Sequence, residues 1–162
     1  MSESEFQIRP ATIRDIPAIL KCIKGLARYE HLEDTVIATE ADLQSSLFGE
    51  TPDAEVLIAY ERAEPAGFAV FFHNYSTFLA RRGLHLEDLF VFPQFRGKGL
   101  GRSLLSKVAR IAVQRQCGRF ELSALDWNQK AIGFYERLGA QTLPEWQIYR
   151  WTEKALKGLA DR

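Results

Sequence analysis

"LEDLFVFPQFRGKGLGRSLL", Leu86–Leu105, decides the fold because its periodicity changes within a few residues. With Leu84 and His85 before it, the run to Phe92 is apolar and aromatic, carries two adjacent acids, Glu87 and Asp88, and ends at Pro93. Proline cannot donate to a sheet ladder, so this run reads as a central strand that stops there. From Gly101 onward Leu104, Leu105, Val108, Ile111 and Ala112 recur at helical spacing until Gly118 closes the pattern. Between strand and helix lies Arg96-Gly97-Lys98-Gly99-Leu100-Gly101. A helix start presents unpaired backbone N–H groups and the positive end of its dipole, and glycines let that backbone close on an anion, most often a phosphate. Arg96, Lys98 and Arg102 add positive charge suited to a pyrophosphate. The dinucleotide fingerprint GxGxxG would need a glycine where Arg102 stands, and the Walker spacing of Gly-Lys-Ser/Thr is absent, so neither common nucleotide loop is present.

Upstream, "ATIRDIPAILKCIKGLARYE" places Ile13, Ile16, Leu20, Ile23 and Ala27 at helical spacing, with Thr12 or Asp15 able to cap and Pro17 tolerated in a first turn. "TEADLQSSLFG" reads as a shorter helix with a Thr39–Asp42 capping pair and Gly49 as its stop. "EVLIAY" and "GFAVFFHNY", separated by the turn-like "ERAEPA", form an expected antiparallel hairpin. Downstream, "FELSAL" reads as a strand, "NQKAIGFYERLGA" as a helix capped by Asn128 and stopped by Gly139, and "EWQIYRW" as a last strand. The tail "TEKALKGLADR" reads as a terminal helix. A βαβ crossover therefore follows a β-rich first half, which predicts an α/β fold with a mixed sheet and helices on both faces. At 162 residues, with no linker, repeat or low-complexity tract, residues 1–162 are expected to form one domain.

Twenty-one basic residues balance twenty-one acidic ones, so no global field points to nucleic acid or a membrane surface, and any charge-dependent function must be local. Cys22 and Cys117 have no paired spacing, which suits a reducing compartment. "MSESEFQIRP" lacks a basic region followed by an apolar stretch, and no apolar segment approaches membrane-spanning length. A cytoplasmic protein is expected. His31, His73 and His85 lack ligand spacing with one another or with cysteine, so no metal site is expected.

The motifs "HLEDLFV", "RGKGLG" and "WNQKAIGFYERLGA", in that order, resemble the GCN5-related N-acetyltransferases, and most nearly their diamine (spermidine/spermine) and thialysine branch. "LARYEHLED" at the end of the first helix is similar as well, so the resemblance covers about residues 8–149. It implies a mostly antiparallel mixed sheet, acetyl-CoA as co-substrate and a homodimer. It also implies that the loop from Arg96 through Gly97, Lys98, Gly99, Gly101 and Arg102 binds the pyrophosphate. Phe90 and Val91 would offer backbone groups to the pantetheine, and Asn128 would contact the cofactor arm as well as cap its helix.

Acetyl transfer to an amine must take a proton from an ammonium of pKa about 10.4 and return one to a thiolate of pKa about 8.5. Adjacent strand residues point to opposite faces, so only one of Glu87 and Asp88 should face the cleft unless a β-bulge re-aims one of them. The resemblance favours such a bulge, with Glu87 as base through a water and Asp88 as a ligand for substrate ammonium. Tyr135 shares a stripe with Ile132 and Leu138, which suits a core aromatic, yet its phenol can also donate a proton near neutrality. In the resembled family a tyrosine at this place protonates the coenzyme A sulfur. Trp127 reads as a packing or pocket-wall aromatic. Tyr29, Glu30, Glu33 and Asp34 would line the acceptor site, an acidic wall suited to several ammonium groups. Arg81 and Arg82 depart from the diamine pattern and could clamp an acceptor carboxylate instead. The expected activity is acetylation of a small primary amine, a polyamine or a lysine-like amino acid, by direct attack in a ternary complex. The alternatives are acetylation of protein lysines and a non-catalytic acyl-CoA-binding module.

Overall fold

The computed structural model describes residues 6–162, and the first half of the "MSESEFQIRP" segment lies outside them. The chain divides into two compact units, Met1–Ser123 and Ala124–Arg162.

In the first unit five strands lie in chain order: β1 (Phe6–Pro10), β2 (Glu55–Glu61), β3 (Glu64–Ser76), β4 (Arg81–Val91) and β5 (Phe120–Leu122). The first three pairings are antiparallel and β4–β5 is parallel, so the expected mixed, mostly antiparallel sheet is present. β1 was not foreseen. Its Phe6 and Ile8 alternate with Gln7 and Arg9, a two-cycle pattern too short to stand out in the sequence. The β2–β3 turn narrows to Arg62 and Ala63, with Arg62 at φ 56°.

Helices cover both faces. On one, α1 (Ile16–Tyr29) and α2 (Glu40–Phe48) bury Ile16, Ile19, Cys22 and Leu43 against Val56, Ile58, Phe68, Val70 and Phe90. On the other, α3 (Leu100–Gln114) buries Leu100, Leu104, Val108 and Ala112 against Leu57, Ala69, Phe71, Leu84 and Leu86. These α3 residues recur at every fourth position, which is why that helix presents one continuous apolar stripe to the sheet. The Thr39–Asp42 capping box is formed as expected, and Asp42 Oδ2 accepts from both the Thr39 amide and its hydroxyl.

Asp15, expected as a possible cap, does more. Its carboxylate is buried and takes a bidentate pair from Arg9 at 2.7 and 2.9 Å, the Tyr60 hydroxyl at 2.8 Å and the Thr12 amide at 2.7 Å. The Arg9 hydrogen bonds hold this carboxyl well below the usual carboxylate range, while burial and the Asp15 charge push the Tyr60 phenol up to about 12. One acid thereby ties β1, β2 and the start of α1 together.

The second unit holds α4 (Gln129–Arg137) and α5 (Glu153–Ala160). Asn128 Oδ1 accepts from the Ala131 amide, so it caps α4 as expected, and Gly139 leaves the helix at φ +94°. "EWQIYRW" is not a strand: among the described residues 145–151 join no ladder. Its aromatic and β-branched residues suit a pleated surface, but strand propensity is realised only against a partner strand.

Candidate active site

β4 carries the site, and its register explains how. Val70 on β3 faces Asp88, whereas the next residue, Phe71, faces Leu86, so Glu87 is the extra residue of a β-bulge. Before the bulge Leu84 and Leu86 belong to the α3-side core; after it Leu89 and Val91 do. Phe90 packs on the α1 side, with Val70, the partner of Asp88. The alternation has changed parity at Glu87, which places both adjacent acids on the α1 face. His85 shares that face, stacked on Phe72 at 5.0 Å between centroids, with its Nε2 3.9 Å from the Glu87 carboxylate. His85 was missed in the sequence, although its two-residue spacing from Glu87 is a same-face signal.

Glu87 is exposed, while Asp88 is partly buried. Burial pushes the Asp88 carboxyl up to about 6, reinforced by the charges of Glu87 and of Glu30 at the end of α1. Burial also raises the Glu30 carboxyl. Three acids thus act on one another here, and burial disfavours the charged form of two of them, Asp88 and Glu30. Gly25 brings the helix close: a Cβ there would meet the Phe90 ring at 2.7 Å. Glu33 and Asp34, by contrast, are exposed in a 3₁₀ turn, and Glu33 is paired with Arg28.

The edge of β4 beyond the acids is open. β5 pairs with β4 only over Leu84–Leu86, so residues 87–91 have no ladder partner on that side among the described residues. The Phe92 amide donates to Ala66 on β3, and a two-residue period directs the Phe90 backbone to β3 as well, with Leu89 and Val91 turned to the open edge. The Phe90 backbone, expected to serve the cofactor, is thus directed to β3. Phe90 is a core residue, and Leu89 joins Val91 at the free edge.

At the glycine loop Gly97 and Gly99 adopt φ +78° and +80°, and a Cβ on either would meet nothing within 4 Å. Gly99 caps α3, whose first internal bond runs from the Ser103 amide to the Gly99 carbonyl. The preceding helical amides, those of Leu100, Gly101 and Arg102, have no acceptor within the helix. Open space over a bare helix start, with no side chain to fill it, fits a phosphate group. The flanking cations are placed unequally. Lys98 Nζ lies 3.0 Å from Glu61 and over the Phe6 and Phe95 rings. Arg96 donates from Nε to the Val91 carbonyl at 2.8 Å and lies over the rings of Tyr29 and Phe90. Arg102 is exposed on the first turn of α3.

Arg81 and Arg82 stand at the other end of β4, and Arg82, with the parity of Leu84 and Leu86, belongs to the α3 face. At about 3.4 Å per residue Arg82 is roughly 20 Å from Asp88, so the suggested clamp on an acceptor carboxylate is not available at the acid cluster. In the second unit Trp127 is 49% exposed, Asn128 is buried at the α4 cap, and the Tyr135 ring lies 5.2 Å from that of Phe134. Among the described residues no group of three His, Cys, Asp or Glu side chains is arranged to hold a metal ion.

The sequence model of the acetyltransferase (GNAT) family matches residues 23–140. The chain belongs to the GNAT family. Thialysine N-epsilon-acetyltransferase of Bos taurus is 37% identical over 96% of this chain and 97% of that protein. L-ornithine N5-acetyltransferase of Arabidopsis thaliana is 33% identical over 94% of this chain and 87% of that protein. Among solved structures an integron cassette protein from the mobile metagenome of V. cholerae superposes with a TM-score of 0.82 at 28% identity, covering 99% of this chain and all of that one. As a GNAT acetyltransferase the chain is an acetyl-CoA-dependent enzyme, and no helix among its described residues is long and apolar enough to cross a membrane.

Proposed function

We propose that the enzyme acetylates one amine of a small diamino compound, with a basic amino acid such as thialysine or ornithine favoured over a polyamine. The observation that carries this reading is the bulge at Glu87, which sets Glu87 and Asp88 on the α1 face, where the charge of Glu30 at the end of α1 also acts on Asp88. A carboxyl pushed up by burial and like charges is stabilised most by an incoming cation, so the cluster favours a substrate with a second ammonium group. The similarity to thialysine and ornithine acetyltransferases supports the amino-acid acceptor.

In this reading Gly97, Gly99 and Gly101 with the α3 start hold the pyrophosphate of acetyl-CoA, with Arg102 supplying charge. Val91 and Leu89 offer the open β4 edge to the pantetheine arm. Asp88 and Glu30 bind the non-reacting ammonium, with Tyr29 as an aromatic wall. The exposed Glu87 takes the proton of the reacting ammonium through a water. The neutral amine then forms the C–N bond as the C–S bond breaks; the nitrogen sheds its surplus proton to solvent, and the Tyr135 phenol gives its own proton to the departing sulfur and regains one from solvent. Asn128 and Trp127 are assigned to the cofactor arm and the acceptor wall by their place in the motif "WNQKAIGFYERLGA". By the same resemblance the enzyme works as a homodimer, and its two free cysteines, Cys22 and Cys117, suit the reducing cytoplasm.

The test separates the two acids. Asp88→Asn raises KM for a diamino acceptor at least tenfold while KM for acetyl-CoA stays within about twofold. Glu87→Gln lowers kcat by 10²-fold or more, the usual scale of general-base loss, most strongly below the amine pKa. Equal KM values for the acceptor in Asp88→Asn and wild type would remove Asp88 from acceptor binding.

A further inference from the structure

We propose that the far end of β4 carries a second anion site, for a compact oxyanion of charge two or more with phosphate or carboxylate groups. Arg81, Arg82, Arg115 and Gln116 line an open pocket of about 420 Å³ there.

Arg115, just past the end of α3, is already fixed. It makes a bidentate pair with Glu55, at 2.5 and 2.8 Å, and its NH1 lies 3.0 Å from His73 Nε2. His73 Nδ1 lies 3.0 Å from the Gly83 carbonyl, so the ring donates on that side and accepts from Arg115 on the other. This chain of contacts joins β2, β3, β4 and the end of α3, and it leaves Arg115 Nε and one NH2 proton for another partner. Arg81 and Arg82 have no carboxylate within ion-pair distance among the described residues, and their strand start is pinned by the Gly118 amide donating to the Arg82 carbonyl at 2.9 Å.

Three guanidinium groups against the single carboxylate of Glu55 leave a local surplus of two positive charges in a chain whose total is zero. The negative end of the α3 dipole offsets about half a charge of that, and the surplus remains positive. Several guanidinium forks around one pocket match the oxygens of a phosphate or a dicarboxylate better than those of a single carboxylate, which one fork satisfies. The pocket stands roughly 20 Å from Asp88 along the strand, toward the opposite face of the sheet, so it is separate from both the acid cluster and the glycine loop.

The experiment titrates inorganic phosphate and, separately, citrate into the full chain saturated with coenzyme A, so that the glycine loop is already filled. Calorimetry is read together with backbone amide NMR shifts. Saturable binding of one ion is expected, with shifts at Arg82 and Gln116 to Gly118, and at least tenfold weakening in an Arg81→Gln/Arg82→Gln variant whose coenzyme A affinity is unchanged. The ion that binds more tightly identifies the ligand class. The proposal is overturned if neither ion binds, if the double variant binds as wild type does, or if the shifts fall at Gly97 to Gly101. A failure of acetyl transfer leaves this site untouched, because the readout contains no turnover.

Discussion

Glu87 and Asp88 are neighbours in the chain and lie on the same face of the sheet, because the β3–β4 register slips by one residue between Val70–Asp88 and Phe71–Leu86. In a regular strand one of them would be sunk among the α3-side apolar residues. The bulge turns a strand that would carry one outward acid into a strand that carries two.

That placement has a cost in stability that pH should reveal. The Asp88 carboxyl is raised to about 6 in the folded chain, above its unfolded value of about 3.9. A raised group contributes stability below the unfolded value and loses it as pH rises through the folded one. Asp88→Asn should therefore be more stable than wild type at pH 8, by on the order of 2–3 kcal/mol, with the gap closing towards pH 4. Denaturant melts at several pH values check this, and a pH-independent gap would contradict the burial of the charge.

The opposite slope belongs to Asp15. Its carboxyl is held low by Arg9, so its contribution is present above the unfolded value of about 3.9 and is lost as pH falls below it. Asp15→Asn should cost about 1–3 kcal/mol at pH 7, the scale of a buried hydrogen-bonding group deprived of its partners, and less at pH 3. The same denaturant series measures it.

Gly99→Ala separates binding from folding. At φ +80° an alanine is strained by about 1–2 kcal/mol, yet its methyl group would enter open space over the α3 start. The variant should fold with modestly lower stability and lose tenfold or more in coenzyme A affinity by calorimetry. Unchanged affinity would move the pyrophosphate away from Gly97 to Gly101.

Tyr135→Phe keeps the ring and removes the proton. Coenzyme A affinity should stay within about twofold, while kcat falls by 10²-fold or more, the scale of a lost general acid. An unaltered kcat would return Tyr135 to a packing role.

The Thr39–Asp42 capping box, the Asn128 cap and the glycine loop are legible in the sequence because each is local, settled by residues within one turn of one another. The bulge is not local. It is a relation between Glu87 and Val70, on another strand, and sequence can pose the question without answering it. Asp15 is hidden in the same way, since a helix-start acid reads as a cap until Tyr60 from a distant strand is seen to donate to it. "EWQIYRW" fails in the other direction: its residues suit a strand, but a strand needs an edge, and no composition supplies one. Arg81 and Arg82 stand near the acids in sequence, yet an extended strand carries them about 20 Å away.

The most direct test is release of the coenzyme A thiol from acetyl-CoA in the presence of thialysine, lysine, ornithine, spermidine and a lysine-containing peptide. Acceptor-dependent release is predicted, with the highest kcat/KM on a small diamino acid. Tight binding of acetyl-CoA with no acceptor-dependent release, or a peptide outperforming every free amine, would contradict the account.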